Sequence, residues 1–141
     1  MKNILFLCTG NSCRSQMAEA WTNYLGKNDF QAYSAGIAPK GIDPRAVKVM
    51  AEAGVDISSQ KSKDIDSLGK MEFDYVVTLC DNANEACPFF PAKTGVLHRG
   101  FDDPPKLAEG IQSEEETLNH YRRVRNEIKT FIDDLQNQLN N

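Results

Sequence analysis

The sequence predicts an α/β fold, a single three-layer domain with a four-stranded parallel sheet flanked by helices. Apolar runs typical of strands alternate along the chain with amphipathic segments of helical period. The first run is almost uninterrupted, as in strands of a parallel sheet that are buried on both faces. The length of 141 residues suits one such domain, so we expect a single domain over 1–141.

The predicted elements follow the order β-α-β-α-β-β-α. Asp43-Pro44 is typical of a helix cap followed by a first-turn proline, and Gly26 is expected to end the first helix. That helix carries Met17, Ala20, Trp21 and Tyr24 at helical spacing, and we expect the C-terminal tail 136–141 to fray. The predicted strands are 3–8, 30–34, 74–79 and 95–98. The predicted helices are 16–25, 44–54, a short one near 64–68 and a long one from 113, with 99–109 as a loop.

The composition narrows the classes of function. Sixteen basic and 20 acidic residues give a net charge of −4, which offers no reason to expect nucleic acid or an anionic membrane as a partner. No segment approaches transmembrane length, and the N-terminal apolar run is too short for a secretion signal. We therefore expect a cytoplasmic monomer whose four cysteines serve as thiols, in catalysis or as metal ligands, rather than as permanent disulfides.

The most informative stretch is Cys8-Thr-Gly-Asn-Ser-Cys-Arg14-Ser15, which we call the cradle (residues 8–15). Gly10 and Asn11 tolerate positive φ, so the backbone N–H groups of 9–14 can turn inward. The following helix adds its positive N-terminal end, and Arg14 offers a planar fork of donors. Such surroundings favour the thiolate of Cys8, the nucleophilic form. The residues predicted to bind a tetrahedral oxyanion are Thr9, Gly10, Asn11, Ser12, Cys13, Arg14 and Ser15.

Two further cysteines are candidates for redox chemistry. Ligands of a doubly wound sheet bind outside the carboxyl ends of its strands, and Cys80 ends the third predicted strand. Cys87 follows seven residues later, in a polar stretch that could bend enough for the two to pair. Cys80 could also be a small buried apolar residue. A zinc site built from all four cysteines would miss the usual ligand spacing, so we expect no metal.

Asp103 is the predicted general acid. The following proline holds it extended, and a neighbouring anion favours the protonated form that an acid needs at the start of the step. Asp102 is the second choice. The alternative is that Asp102-Asp103-Pro104-Pro105 is an ordinary surface turn.

These residues resemble the low-molecular-weight tyrosine phosphatases, through Cys8-x5-Arg14-Ser15 and Asp103-Pro104. Within that fold the chain resembles the thioredoxin-coupled arsenate reductases more closely. Two departures from the phosphatases stand out, because Gln16 replaces their usual proline and no tyrosine follows the Asp-Pro. The shared phrases are 8–19, 33–36, 76–80, 87–88, 100–104 and 123–127.

The resemblance implies reduction of arsenate to arsenite. It implies that Cys8 attacks arsenic with Asp103 as acid, that Cys80 attacks Cys8, and that Cys87 attacks Cys80 to give a disulfide that thioredoxin reduces. Phosphate or sulfate would compete for the cradle, and no bound cofactor is implied. A phosphatase, and a non-catalytic module that binds oxyanions or metal, remain alternatives. Glutaredoxin or another thiol carrier could replace thioredoxin.

One position departs from some of the reductases. Relatives that bind potassium do so through residues matching Asn11, Glu19, Ser34 and an aspartate, and Lys63 stands at the position of that aspartate. Two interpretations stay open. The Lys63 ammonium replaces the cation and makes activity independent of potassium, or Lys63 is simply solvated.

Overall fold

A computed structural model describes residues 1–26, 28–80 and 90–139. Its sheet has four strands in the order β2-β1-β3-β4, and every neighbouring pair is parallel. Leu7, the last residue of β1, pairs with Ala35 of β2 and with Thr78 of β3, so the three strands end together. The predicted α/β class and the four parallel strands are confirmed. The strands are β1 (Lys2–Leu7), β2 (Phe30–Ala35), β3 (Tyr75–Thr78) and β4 (Gly95–His98).

Helices and loops cover both faces of this sheet. The helices are α1 (Arg14–Leu25), α2 (Pro44–Glu52), α3 (Pro104–Leu107) and α4 (Glu114–Leu139), with a 3-10 helix at Ile65–Leu68. Ile4 and Phe6 of β1 pack into the core shared with α1, α2 and α4. Leu5 and Leu7 face a smaller cluster around Phe73. All four side chains are fully buried, which explains the uninterrupted apolar run.

The start of α2 follows the predicted capping pattern. Asp43 Oδ1 accepts a hydrogen bond of 2.9 Å from the backbone N–H of Arg45, and Pro44 occupies the first helical position. Asp43 Oδ2 accepts a second bond, of 2.6 Å, from the hydroxyl of Tyr121. The cap therefore fastens α4 to the N-terminus of α2.

Two expectations about the helices were wrong, and Tyr24, which has helical spacing with buried residues, is 56% exposed. The region expected to be a loop contains α3, which begins with the same Asp-Pro pattern as α2. Helix α4 continues to Leu139 instead of fraying, because Gln136 is buried and donates a 3.3 Å hydrogen bond to the carbonyl oxygen of Thr22. No helix within the described ranges combines the length and apolarity that crossing a membrane requires.

Candidate active site

A cavity of about 380 Å³ opens where β1 ends. It brings together residues far apart in the sequence, because the cradle follows β1 while Asp103 precedes α3. The cavity is lined by Cys8, Thr9, Gly10, Ser12, Cys13, Arg14, Lys40, Asp103, Pro105 and Lys106. Of the predicted oxyanion-binding residues, Asn11 and Ser15 do not line it and lie fully buried beneath it.

The cradle is held from outside by residues 36–43, which we call the outer segment. Backbone N–H groups of Ala38, Lys40 and Asp43 each donate a 3.0 Å hydrogen bond to the carbonyl oxygens of Thr9, Gly10 and Ser12. In a trans peptide the N–H points away from the C=O, so bonding these carbonyls to the outer segment turns the next N–H groups the other way. They belong to Gly10, Asn11 and Cys13, of which Gly10 and Cys13 line the cavity.

Two glycines shape the cradle in ways the sequence did not reveal. Of Gly10 and Asn11, which both tolerate positive φ, only Asn11 adopts it, with a φ of 46°. Gly10 is small for another reason, since a Cβ there would lie 3.2 Å from Cδ of Lys40. A Cβ on Gly36 would lie 2.6 Å from the carbonyl oxygen of Thr9 and 2.7 Å from that of Cys8. Gly36 therefore lets β2 end directly against the cradle.

The sulfur of Cys8 lies at the base of the cavity and is almost fully buried. Its Sγ is 3.0 Å from Oγ of Ser15, and Asn11 Nδ2 donates a 2.8 Å hydrogen bond to the same Oγ. The backbone N–H of Lys63 donates to Asn11 Oδ1 at 2.7 Å, which fixes the orientation of this amide. Because Ser15 Oγ accepts from Asn11, its own proton is available for donation to the sulfur.

Gln16 explains one departure from the phosphatases. Its side chain is fully buried, and Nε2 donates to the carbonyl oxygens of Asn11 at 3.0 Å and of Lys61 at 2.9 Å. Its Oε1 accepts a 2.8 Å hydrogen bond from Gln60. A proline could make none of these side-chain bonds, so here the cradle is joined to residues 60–63 by an amide network.

Arg14 and Asp103 form the polar wall of the cavity. Arg14 is buried, its Nη1 donates to the carbonyl oxygen of Phe101 at 3.2 Å, and its Nη2 lies 3.7 Å from Asp103 Oδ1. Asp103 is extended, with φ −88° and ψ 106°, as expected before a proline. Asp102 instead forms a 3.0 Å ion pair with Arg123 on α4. Asp103 is thus the aspartate that faces the cavity.

The other thiols differ from Cys8 in their surroundings. Burial, followed by the Asp43 carboxylate, raises the pKa of Cys13, so this side chain stays a thiol near neutral pH. Cys80 is fully buried just beyond β3 and is disulfide-bonded, whereas Cys8 and Cys13 are free cysteines. Cys87 lies outside the described residues.

Lys63 lies beside Glu19, next to the cradle. Its Nζ is 3.7 Å from Glu19 Oε1 and donates to the carbonyl oxygen of Lys61 at 2.9 Å. Ser34 Oγ donates to the same Glu19 oxygen at 2.9 Å. Burial raises the pKa of Glu19, and the Lys63 ammonium opposes that rise. The ammonium therefore lies among oxygen atoms of the kind that bind a monovalent cation.

Two lysines at the cavity were not singled out by the sequence. Lys40 enters from the outer segment and Lys106 from α3. Neither belongs to a motif, because the path of the outer segment and of α3 decides whether they reach the cavity. Within residues 1–26, 28–80 and 90–139 no group of three or more His, Cys, Asp or Glu side chains is placed to hold a metal ion.

The comparisons with known proteins agree with this geometry. Residues 3–141 match the family described as low molecular weight phosphotyrosine protein phosphatase. An arsenate reductase of Halalkalibacterium halodurans is 52% identical over 137 residues, which cover 94% of this chain and 96% of that protein. The chain therefore belongs to this family, and its resemblance to the arsenate reductases is confirmed.

Solved structures give the same result. An arsenate reductase in a phosphate-binding state superposes with a TM-score of 0.79 at 31% identity, covering 96% of each chain. A thioredoxin-dependent arsenate reductase of Corynebacterium glutamicum gives a TM-score of 0.72 at 26% identity, covering all of this chain and 64% of that one.

Proposed function

We propose that this chain reduces arsenate to arsenite through a relay of three cysteines, with thioredoxin as the electron donor. The observation that carries the proposal is the placement of a second cysteine beside the cradle. Leu7 pairs with Thr78, and the N–H of Leu79 donates to the carbonyl oxygen of Leu7 at 2.9 Å. Extending this register sets Cys8 beside Leu79, one residue before Cys80.

Strand geometry supports an attack of Cys80 on Cys8. Neighbouring strands lie about 4.8 Å apart and rise about 3.3 Å per residue, so a one-residue offset separates Cα atoms by roughly 6 Å. Disulfides span Cα separations of about 4.4–6.8 Å. A phosphatase needs Cys8, Arg14 and Asp103 but has no use for a thiol at position 80.

In the first step the Cys8 thiolate attacks arsenic(V) bound in the cradle. A sulfur–arsenic bond forms while one arsenic–oxygen bond breaks, and the departing oxygen leaves as water after taking protons, one of them from Asp103. Arg14 and the inward N–H groups hold the remaining oxygens. Arsenic is still pentavalent at this point, because no electrons have been transferred to it.

In the second step the Cys80 thiolate attacks Sγ of Cys8. The Cys8–Cys80 disulfide forms, the sulfur–arsenic bond breaks, and its electron pair stays on arsenic, which leaves as arsenite. Cys87 then attacks Cys80, releasing the Cys8 thiolate and leaving a Cys80–Cys87 disulfide for the two thiols of thioredoxin to reduce. One arsenate thus consumes one dithiol.

Two observations support this sequence of steps. Cys80 is oxidised while Cys8 remains a thiol, which is the distribution expected once Cys8 has been released. The C. glutamicum neighbour is described as thioredoxin-dependent. We further propose that the enzyme is a cytoplasmic monomer of one domain with no bound cofactor, and that phosphate or sulfate competes with arsenate.

The decisive experiment follows NADPH oxidation by the purified protein with thioredoxin, thioredoxin reductase and arsenate. The Cys87→Ser variant should release about one arsenite per enzyme and then stop, because its Cys8–Cys80 disulfide cannot be passed on. Repeated turnover by this variant with thioredoxin would overturn the relay. Hydrolysis of an aryl phosphate faster than arsenate reduction would favour the phosphatase instead.

A further inference from the structure

We propose that Lys40 and Lys106, here called the lysine rim, capture the substrate anion at the mouth of the cavity and deliver it to the cradle. The inference rests on the proposed function, because it concerns how that site recognises its oxyanion. It assigns these lysines to binding and association, whereas Cys8, Arg14 and Asp103 carry out the chemistry.

Lys40 is built into the wall of the cavity. Its backbone N–H donates to the carbonyl oxygen of Gly10 at 3.0 Å. Its Cδ, Cγ and Cε atoms lie 3.2, 3.4 and 3.7 Å from the position that a Cβ on Gly10 would take. These three atoms of the stem therefore lie along the cradle, and Lys40 is one of the residues that line the cavity. A side chain on Gly10 would displace this stem.

The charges around the cavity suit an anion. Its lining contains the cations Lys40, Lys106 and Arg14 and one carboxylate, that of Asp103. Among the residues that the structure describes, neither rim lysine takes part in an ion pair, so their charge is not cancelled by a neighbouring acid. Arg45 and Arg122, by contrast, are neutralised by ion pairs with Glu114 and Glu52.

The protein as a whole repels anions, because its net charge is −4. A local cluster of positive charge at a concave mouth focuses the field and raises the rate of anion association. The same cluster distinguishes substrate from product. Arsenate, the substrate, is an anion at neutral pH, whereas arsenous acid, the product, is uncharged. The rim therefore attracts the substrate and does not retain the product.

The test compares Lys40→Gln with Lys70→Gln, which removes the same charge from the loop after the 3-10 helix. At an ionic strength of about 0.01 M, Lys40→Gln should lower kcat/KM for arsenate about tenfold and leave kcat within about twofold. The loss should shrink towards about twofold at 0.15 M. Lys106→Gln should behave in the same direction, and Lys70→Gln should match the unmodified protein.

Calorimetric titration with inorganic phosphate separates this inference from the proposed function. If the unmodified protein failed to reduce arsenate, the proposed function would fail, and weaker phosphate binding by Lys40→Gln would still support the rim. If arsenate were reduced but Lys40→Gln matched Lys70→Gln in kcat/KM and in phosphate affinity, the rim would be overturned and the reductase would stand.

Discussion

The direction in which the Ser15 hydroxyl points is fixed by a series of hydrogen bonds. The backbone N–H of Lys63 fixes the Asn11 amide, the amide donates to Ser15 Oγ, and the hydroxyl proton is left for Cys8 Sγ at 3.0 Å. A hydrogen bond to a charged group contributes about 1.5–3 kcal/mol. We therefore predict that Ser15→Ala slows arsenate reduction about 10- to 100-fold.

The direct measurement for Ser15→Ala is alkylation of Cys8 by iodoacetamide at pH 7, followed by mass spectrometry of its peptide. It should slow along with reduction, since both depend on the thiolate. Ser58→Ala removes an exposed hydroxyl from a turn outside the cavity lining and serves as the control. Equal alkylation rates in the two variants would show that Ser15 does not act on the sulfur.

The ion pair between Lys63 and Glu19 makes the stability of the protein depend on pH. Burial raises the pKa of Glu19. A carboxyl whose pKa is higher in the folded state than in the unfolded chain makes the protein less stable as the pH rises above about 4.3, the pKa of Glu in the unfolded chain. Lys63 offsets this loss. Lys63→Met should therefore match the unmodified protein near pH 4 and be less stable by about 1 kcal/mol at pH 7 in urea denaturation.

Potassium distinguishes the two interpretations of Lys63. Replacing sodium with potassium at constant ionic strength should restore part of the lost stability in Lys63→Met, because Glu19 and its neighbours can then bind the ion. The unmodified protein and a Lys61→Met control should show no response. A potassium effect on the unmodified protein would mean that the Lys63 ammonium does not replace the cation.

Among the elements, β2 ends in direct contact with the cradle, as β1 does. Gly36 allows this contact, because a Cβ there would lie within 3.0 Å of three backbone atoms, those of Thr9, Cys8 and Asn11. Backbone cannot move aside as a flexible side chain can. We predict that Gly36→Ala costs about 1–3 kcal/mol of stability and weakens phosphate binding, measured by urea denaturation and calorimetry.

Gly95→Ala is the matched control for this change. It lies on β4, has an ordinary φ, and its Cβ would meet only Tyr75 at 3.9 Å, an ordinary van der Waals contact. It should bind phosphate like the unmodified protein. If Gly36→Ala were equally harmless, the close approach of Gly36 to the cradle would not constrain the side chain at this position.

At the scale of the whole molecule, the sequence predicted what depends on local patterns. The apolar run of β1, the Asp-Pro cap of α2 and the spacing of Cys8 and Arg14 are all read along one stretch of chain. The choice of Asp103 over Asp102 agrees with the cavity, although the catalytic roles remain predictions. The family followed from the same motifs.

What the sequence did not reveal depends on how distant segments meet. Lys40 lies at the cavity because the outer segment bonds to the cradle, and no pattern around Lys40 encodes that contact. Gln136 extends α4 because Thr22 offers a carbonyl oxygen from another helix. Tyr24 has helical spacing with buried residues, but spacing cannot tell where the covering surface ends.

The strand order β2-β1-β3-β4 has one more consequence for the proposed reaction. Cys8 and Cys80 follow the two inner strands, each of which is hydrogen-bonded to a neighbour on both sides. Inner strands are the last part of a sheet to open during native-state fluctuations. The separation between the backbones of Cys8 and Cys80 is thus set by the two inner strands, so local opening of the edge strands β2 and β4 leaves it unchanged.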